Sequence, residues 1–319
     1  MVLLRNLFFA FMLIATTSCG QSKEEEADSR MVSAENLLTR GQCDEALSKM
    51  LSFPSRPEDA RYVKLLASAY ACKAGYTTTS FFTELENTNL GTGADLLSIF
   101  TTFTQAQTNT GPLDRDYIYM FQAINTLLFS GTVSTAENPA AAFRAQDFST
   151  EKADEINSFL LFLSFVELGK YFYHYGTTDS TGVKGGAGAA VCMHSYANIA
   201  NINVVLGAGA SGSCTAAGQA GHADLNDGGD IHLERACQGI VLFNNFKDVL
   251  LNLTFSSSSI DLSDFIDDIN TAFAALLADV SDSSIAEVRS VSLCEANFAT
   301  NNNDLQIYFA YIFEILHSR

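Results

Sequence analysis

The side chains best able to do chemistry gather in one stretch, His222-Ala223-Asp224-Leu225-Asn226-Asp227-Gly228-Gly229-Asp230-Ile231-His232-Leu233-Glu234. Thirteen residues carry two imidazoles and four carboxylates. Oxygen donors at alternate positions around a glycine are what a hard cation such as calcium needs, and Asp224, Asn226 and Asp230 are three such donors. The order of an EF-hand loop is not kept. Gly228 stands where a ligand belongs, and Arg235 replaces the carboxylate that would bind through both oxygens. A second chemistry is open to the same stretch, because His222 and His232 with one carboxylate make a donor set that zinc accepts. The third reading needs no ion: a polar turn leads into the following helix, with Asp230 at the helix N-terminus. This last reading is the expectation, so no metal and no cofactor are expected.

Catalytic patterns are missing elsewhere. The five histidines are His174, His194, His222, His232 and His317, and none sits in a recognised catalytic motif. No Gly-x-Ser-x-Gly elbow occurs, and Ser211, the nearest serine in a glycine run, lacks its flanking pattern. The glycine runs carry no lysine at the spacing of a phosphate-binding loop. Tryptophan is absent, which weakens a sugar-stacking role. Cys192-Met193-His194 with Cys214 has donor types that suit zinc, yet outside the cytoplasm thiols are lost to oxidation, so a Cys192–Cys214 disulfide is expected instead. The chain is not expected to be an enzyme.

The compartment follows from the first nineteen residues. Arg5 precedes the apolar run Leu7 to Ala15, and Thr16-Thr17-Ser18 leads to Cys19. A basic start, a short apolar core and a small-residue exit make a secretory leader, and the run is too short to span a bilayer. Ending on a cysteine, the leader resembles the lipobox of bacterial lipoproteins, departing from it at Thr16, where leucine is usual. The resemblance implies lipidation of Cys19, cleavage before it and a membrane anchor. Gly20, rather than an aspartate, follows the cysteine, which by the enterobacterial sorting pattern implies the outer membrane of a Gram-negative cell envelope. Removing the leader, whose one charge is Arg5, takes the net charge from −18 to −19. Such an acidic chain is repelled by phosphate backbones, which excludes nucleic acid as a partner. Six cysteines remain besides Cys19, an even number that reads as three disulfides in an exported protein.

These groups must be positioned by helices. Residues 20–31, rich in Glu and Ser, read as a flexible tether. Residues 32–174 follow as a helical domain. Ala34 to Leu47 reads helix, glycine turn, helix, and a further helix opens near Ser55 and Pro57 with Tyr62, Leu65, Leu66, Ala69 and Tyr70 at helical spacing. Leu96 to Phe103 and Tyr117 to Leu128 mark two more, 132–148 reads as loop, and Thr150-Glu151 opens a long apolar helix. Ser164, Glu167 and Lys170 interrupt that helix, so it belongs in a core and not in a membrane. Residues 175–230 form an insertion rich in Gly, Ala, Ser and Thr, within which Met193 to Leu206 has the length of a short helix. Helices in 231–319 complete the same core, with Asp261 as a cap and Ile285 to Ala296 leading into Leu305 to Leu316. No alternation of strand period is present. The fold class is all-α, a helical-hairpin stack.

Gly41-Gln42-Cys43-Asp44-Glu45-Ala46-Leu47 and Leu65-Leu66-Ala67-Ser68-Ala69-Tyr70 resemble the turn and helix starts of a tetratricopeptide repeat, over about one and a half repeats. This resemblance implies antiparallel neighbouring helices, so the start of one lies beside the end of the next. That geometry pairs Cys43 with Cys72. The pairings Cys192–Cys214 and Cys237–Cys294 then use the remaining cysteines, with no repeat to set their geometry among the possible connectivities. Tetratricopeptide scaffolds hold peptide or protein partners, so the expected function is a lipid-anchored interaction or assembly scaffold of the envelope with a protein partner. The alternative is a small-ligand-binding lipoprotein with the 175–230 insertion as a lid.

Overall fold

The structure, a computed structural model, describes residues 22–76, 111–135, 137–177, 192–196, 221–252 and 263–314. It is all-α apart from one short hairpin. The helices are α1 (Lys23–Thr39), α2 (Cys43–Leu51), α3 (Ala60–Lys73), α4 (Arg115–Leu128), α5 (Ala141–Asp147), α6 (Thr150–Tyr175), α7 (Leu233–Asn252), α8 (Ser263–Asp279), α9 (Val291–Phe298) and α10 (Asn302–Tyr308). Strands β1 (Asn226–Asp227) and β2 (Asp230–Ile231) pair antiparallel. The helix expected around Leu96 to Phe103 and the Asp261 cap lie outside the described residues.

The expected tether is corrected from Ser22 onward. Ser22 and Glu25 form a capping box, Glu25 N–H donating to Ser22 Oγ at 3.2 Å and Ser22 N–H to Glu25 Oε2 at 2.9 Å. Glu24, Glu25 and Glu26 sit in the first turn, where the helix dipole favours negative charge. Ala27, Met31 and Ala34 then recur at helical spacing and are buried, so the acidic run opens α1. The start of α3 is also corrected. It lies beyond the expected opening near Ser55 and Pro57: Asp59 caps it, accepting from Arg61 N–H at 2.9 Å and Tyr62 N–H at 3.3 Å, and Pro57 lies in the turn before. The stretch 132–148 contains α5, which the sequence pattern did not suggest.

Helices α1, α2, α3 and α4 each pack on the next. Cys43 opens α2 and Cys72 lies near the end of α3, and their disulfide holds the two Cα atoms 5.4 Å apart, so these helices run antiparallel. Helix α6 is the axis of the molecule, packed against α4 on one side and α7 on another. Its buried residues occupy every face, including Glu167 and Lys170 at 0% exposure. Desolvation drives the Glu167 carboxyl well above its ordinary range, opposed by the charge of Lys170. Among the described residues no helix is long and apolar enough to cross a membrane. Gly239 of α7 allows the close approach to α6, since a Cβ there would lie 2.7 Å from Tyr171 Cζ.

The C-terminal helices close on α7. A second disulfide joins Cys237 of α7 to Cys294 of α9 across 57 residues of sequence. Asn244 Nδ2 donates to the carbonyls of Ile285 and Val288, both at 2.8 Å, while Tyr308 O–H donates to Asn244 Oδ1 at 2.7 Å. One buried amide thereby satisfies three partners, the condition for placing a polar group in a core. Helix α10 runs on into a π-helical turn, Phe309–Glu314, whose aromatic rings pack on Tyr171 and Phe172 of α6.

Candidate functional site

The described ends of the 175–230 insertion meet at the C-terminal end of α6. Residues 192–196 are not helical, and the remainder of the helix expected over Met193 to Leu206 lies outside the described residues. They are held instead by Glu314 at the end of the π-helical turn. A single oxygen, Glu314 Oε1, accepts from Met193 N–H at 2.6 Å, His194 N–H at 3.3 Å and Tyr196 O–H at 2.8 Å. Cys192 is disulfide-bonded, while Cys214 lies outside the described residues. Residue 222 docks on the same segment, His222 N–H donating to Met193 C=O at 2.9 Å. The contact requires Gly221. Its φ of +66° is left-handed, and a Cβ would stand 2.7 Å from His194 Cα, a backbone atom that cannot swing aside.

This docking brings His222 and Asp224 to His174 in the last turn of α6. His174 Nε2 and Asp224 Oδ2 are 2.8 Å apart, and the His174 and His222 rings meet edge to face with centroids 4.5 Å apart. One ligating atom from each of His174, His222 and Asp224 lies within 4.8 Å of the others. Tyr175 sets its ring edge to face against both imidazoles, at 4.7 and 5.7 Å. Arg235 completes the cluster: Nη1 donates to the Asp224 carbonyl and lies 3.6 Å from Asp224 Oδ1. Burial alone would raise the Asp224 carboxyl, but the hydrogen bond from His174 and the charges of His174, Arg235 and His222 hold it below its ordinary value. The His222 imidazole is lowered, first by burial and then by His174, against the pull of Asp224. His222 Nδ1 accepts from Asp224 N–H at 3.2 Å.

The sequence-derived candidates are thus regrouped. Asp224 belongs to the cluster. Asp230 does not, and is exposed on β2 rather than capping α7. Asn226 donates its amide to the His222 carbonyl at 2.6 Å. Calcium coordination by Asp224, Asn226 and Asp230 therefore has no support in the geometry. Gly228 and Gly229, with φ of +62° and +106°, form the two-residue turn between Asp227 and Asp230. That Asp-Gly-Gly-Asp hairpin was readable in the sequence as a turn signal flanked by too little chain to look like strand. His174 was not a candidate because 48 residues separate it from His222. The available signal was its place on α6, seven residues beyond Glu167 and so on the same face of the helix.

The stem also carries an acid-sensitive group. His194 has 0% exposure, and burial lowers its imidazole to about 4, outweighing Glu314, Asn226 and Asp230, which act to raise it. The unfolded chain takes up this proton near pH 6.5 and the folded chain near pH 4. Between those values the unfolded state binds more protons, so stability falls as pH drops through this window. The full loss is roughly 3 kcal/mol by linkage. Urea unfolding at pH 7, 5.5 and 4.5 is expected to show this decline, and His194→Gln is expected to flatten it. An equally steep decline in the variant would assign it to other groups.

The cluster can bind, orient or exchange protons, and its donor types suit a metal ion. Searched against family models, curated proteins and solved structures, the chain matches none.

Proposed function

We propose that this chain is a lipoprotein of the Gram-negative cell envelope, held in the outer membrane by lipid on Cys19, and that its helical body is a protein-interaction or assembly scaffold and not an enzyme. The observation that carries the reading is the antiparallel stack α1–α2–α3–α4, each helix on the next, stapled by Cys43–Cys72. Such stacks offer long, rigid faces built from repeated local contacts. The disulfides support an oxidising compartment.

Val32 on α1 and Leu51 on α2 are 45% and 56% exposed. The test is capture from solubilised envelope with the full chain. A stoichiometric protein partner is expected, lost in Val32→Lys/Leu51→Lys while circular dichroism is unchanged. In the same preparations the native chain is expected in the detergent phase and Cys19→Ala in the aqueous phase. Capture that ignores the α1–α2 substitutions, or equal partition of both forms, would overturn the respective half of the reading. A second reading, small-ligand binding at the insertion, is favoured by one observation: His222 and Asp224 of the insertion converge with His174, at the end of the helix before it, on one cluster.

A further inference from the structure

We propose that His174, His222 and Asp224 form a binding site for one divalent transition-metal ion of the zinc type. The inference stands apart from the scaffold reading and survives its failure. Two imidazole nitrogens and one carboxylate oxygen are a borderline donor set of the kind that catalytic and transport zinc sites use, with a fourth position left to water. The five cysteines among the described residues, the usual source of thiolate ligands, are all disulfide-bonded.

The distances fit. A tetrahedral ion with bonds of about 2.1 Å holds its ligand atoms about 3.4 Å apart. The three atoms lie within 4.8 Å of one another, and His174 Nε2 and Asp224 Oδ2 are 2.8 Å apart. Side-chain shifts of about an ångström bring all three to one ion. The hydrogen between His174 and Asp224 occupies the space the ion takes, and a neutral His174 coordinates through Nε2 by carrying that proton on Nδ1 instead. His222 offers one ring nitrogen to the ion, and the neutral imidazole carries its proton on the other.

The surroundings hold the ligands in place. Arg235 lies against Asp224 Oδ1, leaving Oδ2 for the ion, in the way that ligating carboxylates are braced from behind. Tyr175 clamps both imidazoles by ring contact. His222 and Asp224 are fixed by Gly221 and by the docking of His222 N–H on Met193. Asp224 keeps 38% of its side chain exposed, which opens the cluster to an incoming ion. The same contacts also suit a plain hydrogen-bonded clasp between the insertion and α6, and the experiment must separate the two.

Untagged full-length protein in detergent, stripped with chelator, is titrated calorimetrically with zinc chloride. Saturable binding of one ion per chain is expected. His174→Gln and His222→Gln are each expected to weaken it by roughly 100-fold or more, beyond the loss caused by removing a bracing partner. His232→Gln, a change ten residues from His222, is expected to leave it unchanged. Histidine footprinting with diethyl pyrocarbonate on the native chain needs no variant, and zinc is expected to protect His174 and His222 together. Absence of saturable binding, unaltered binding in both variants, or failure of zinc to protect these two histidines in the native chain would overturn the proposal.

Discussion

Replacement of Glu314 by alanine is expected to undock the 192–196 segment and to destabilise the protein by about 4 kcal/mol. The magnitude follows from what is left behind. Met193 N–H, His194 N–H and Tyr196 O–H all donate to Glu314 Oε1, and Met193, His194 and Tyr196 are at most 1% exposed. Each buried donor without an acceptor costs roughly 1–3 kcal/mol. The apparent Tm should fall by roughly 8–15 °C. Glu314→Gln keeps an oxygen at the same place and is expected to cost about 1 kcal/mol. Limited proteolysis distinguishes undocking from global loss: new cuts beside 192–196 should appear before any within α6 or α7. Equal stability of the alanine variant and the native chain would show that Glu314 does not anchor the segment.

Removal of the Cys237–Cys294 bridge, as the double alanine variant, is expected to cost about 4 kcal/mol on the chain-entropy model, because the bond closes 57 residues of sequence. The shorter Cys43–Cys72 loop, 29 residues, gives about 3.6 kcal/mol on the same basis. Accessibility orders them oppositely in native conditions. Cys237 and Cys294 are at 0% exposure, whereas Cys43 is partly exposed at the start of α2. A mild reductant followed by alkylation is expected to label Cys43 and Cys72 first and to leave Cys237 and Cys294 unlabelled until the chain unfolds. Mass spectrometry of the alkylated peptides checks the order, and early labelling of Cys237 would refute the buried α7–α9 staple.

Much of the helical architecture was legible because its signals are local. Apolar spacing placed α3, α4, α6 and α7, and the interruption of α6 by Ser164, Glu167 and Lys170 marked it as a core helix. Where the local signals were misread, the cause is specific. Ser22-x-x-Glu25 is a capping box, but the acidic run after it resembles a solvated tether until Ala27, Met31 and Ala34 are seen to find a buried surface. The 192–196 segment is positioned by Glu314, a residue 120 positions away in sequence, which accepts from the Met193 and His194 N–H groups.

The sequence by itself determined the all-α class, because hydrophobic periodicity needs no knowledge of what lies nearby in space. Only the tertiary structure decided which histidines meet. His222 has His232 ten residues away on its own strand-and-turn segment, yet its neighbour is His174 on α6, reached because Gly221 permits a backbone contact that no other residue allows. Likewise Asp224 turns to His174 and Arg235 while Asp230 faces solvent. Spacing along the chain limits which donors can meet, but the docking of the insertion stem on α6 selects among them, since hydrogen bonds and ring contacts act over a few ångströms of space and not over residues of sequence.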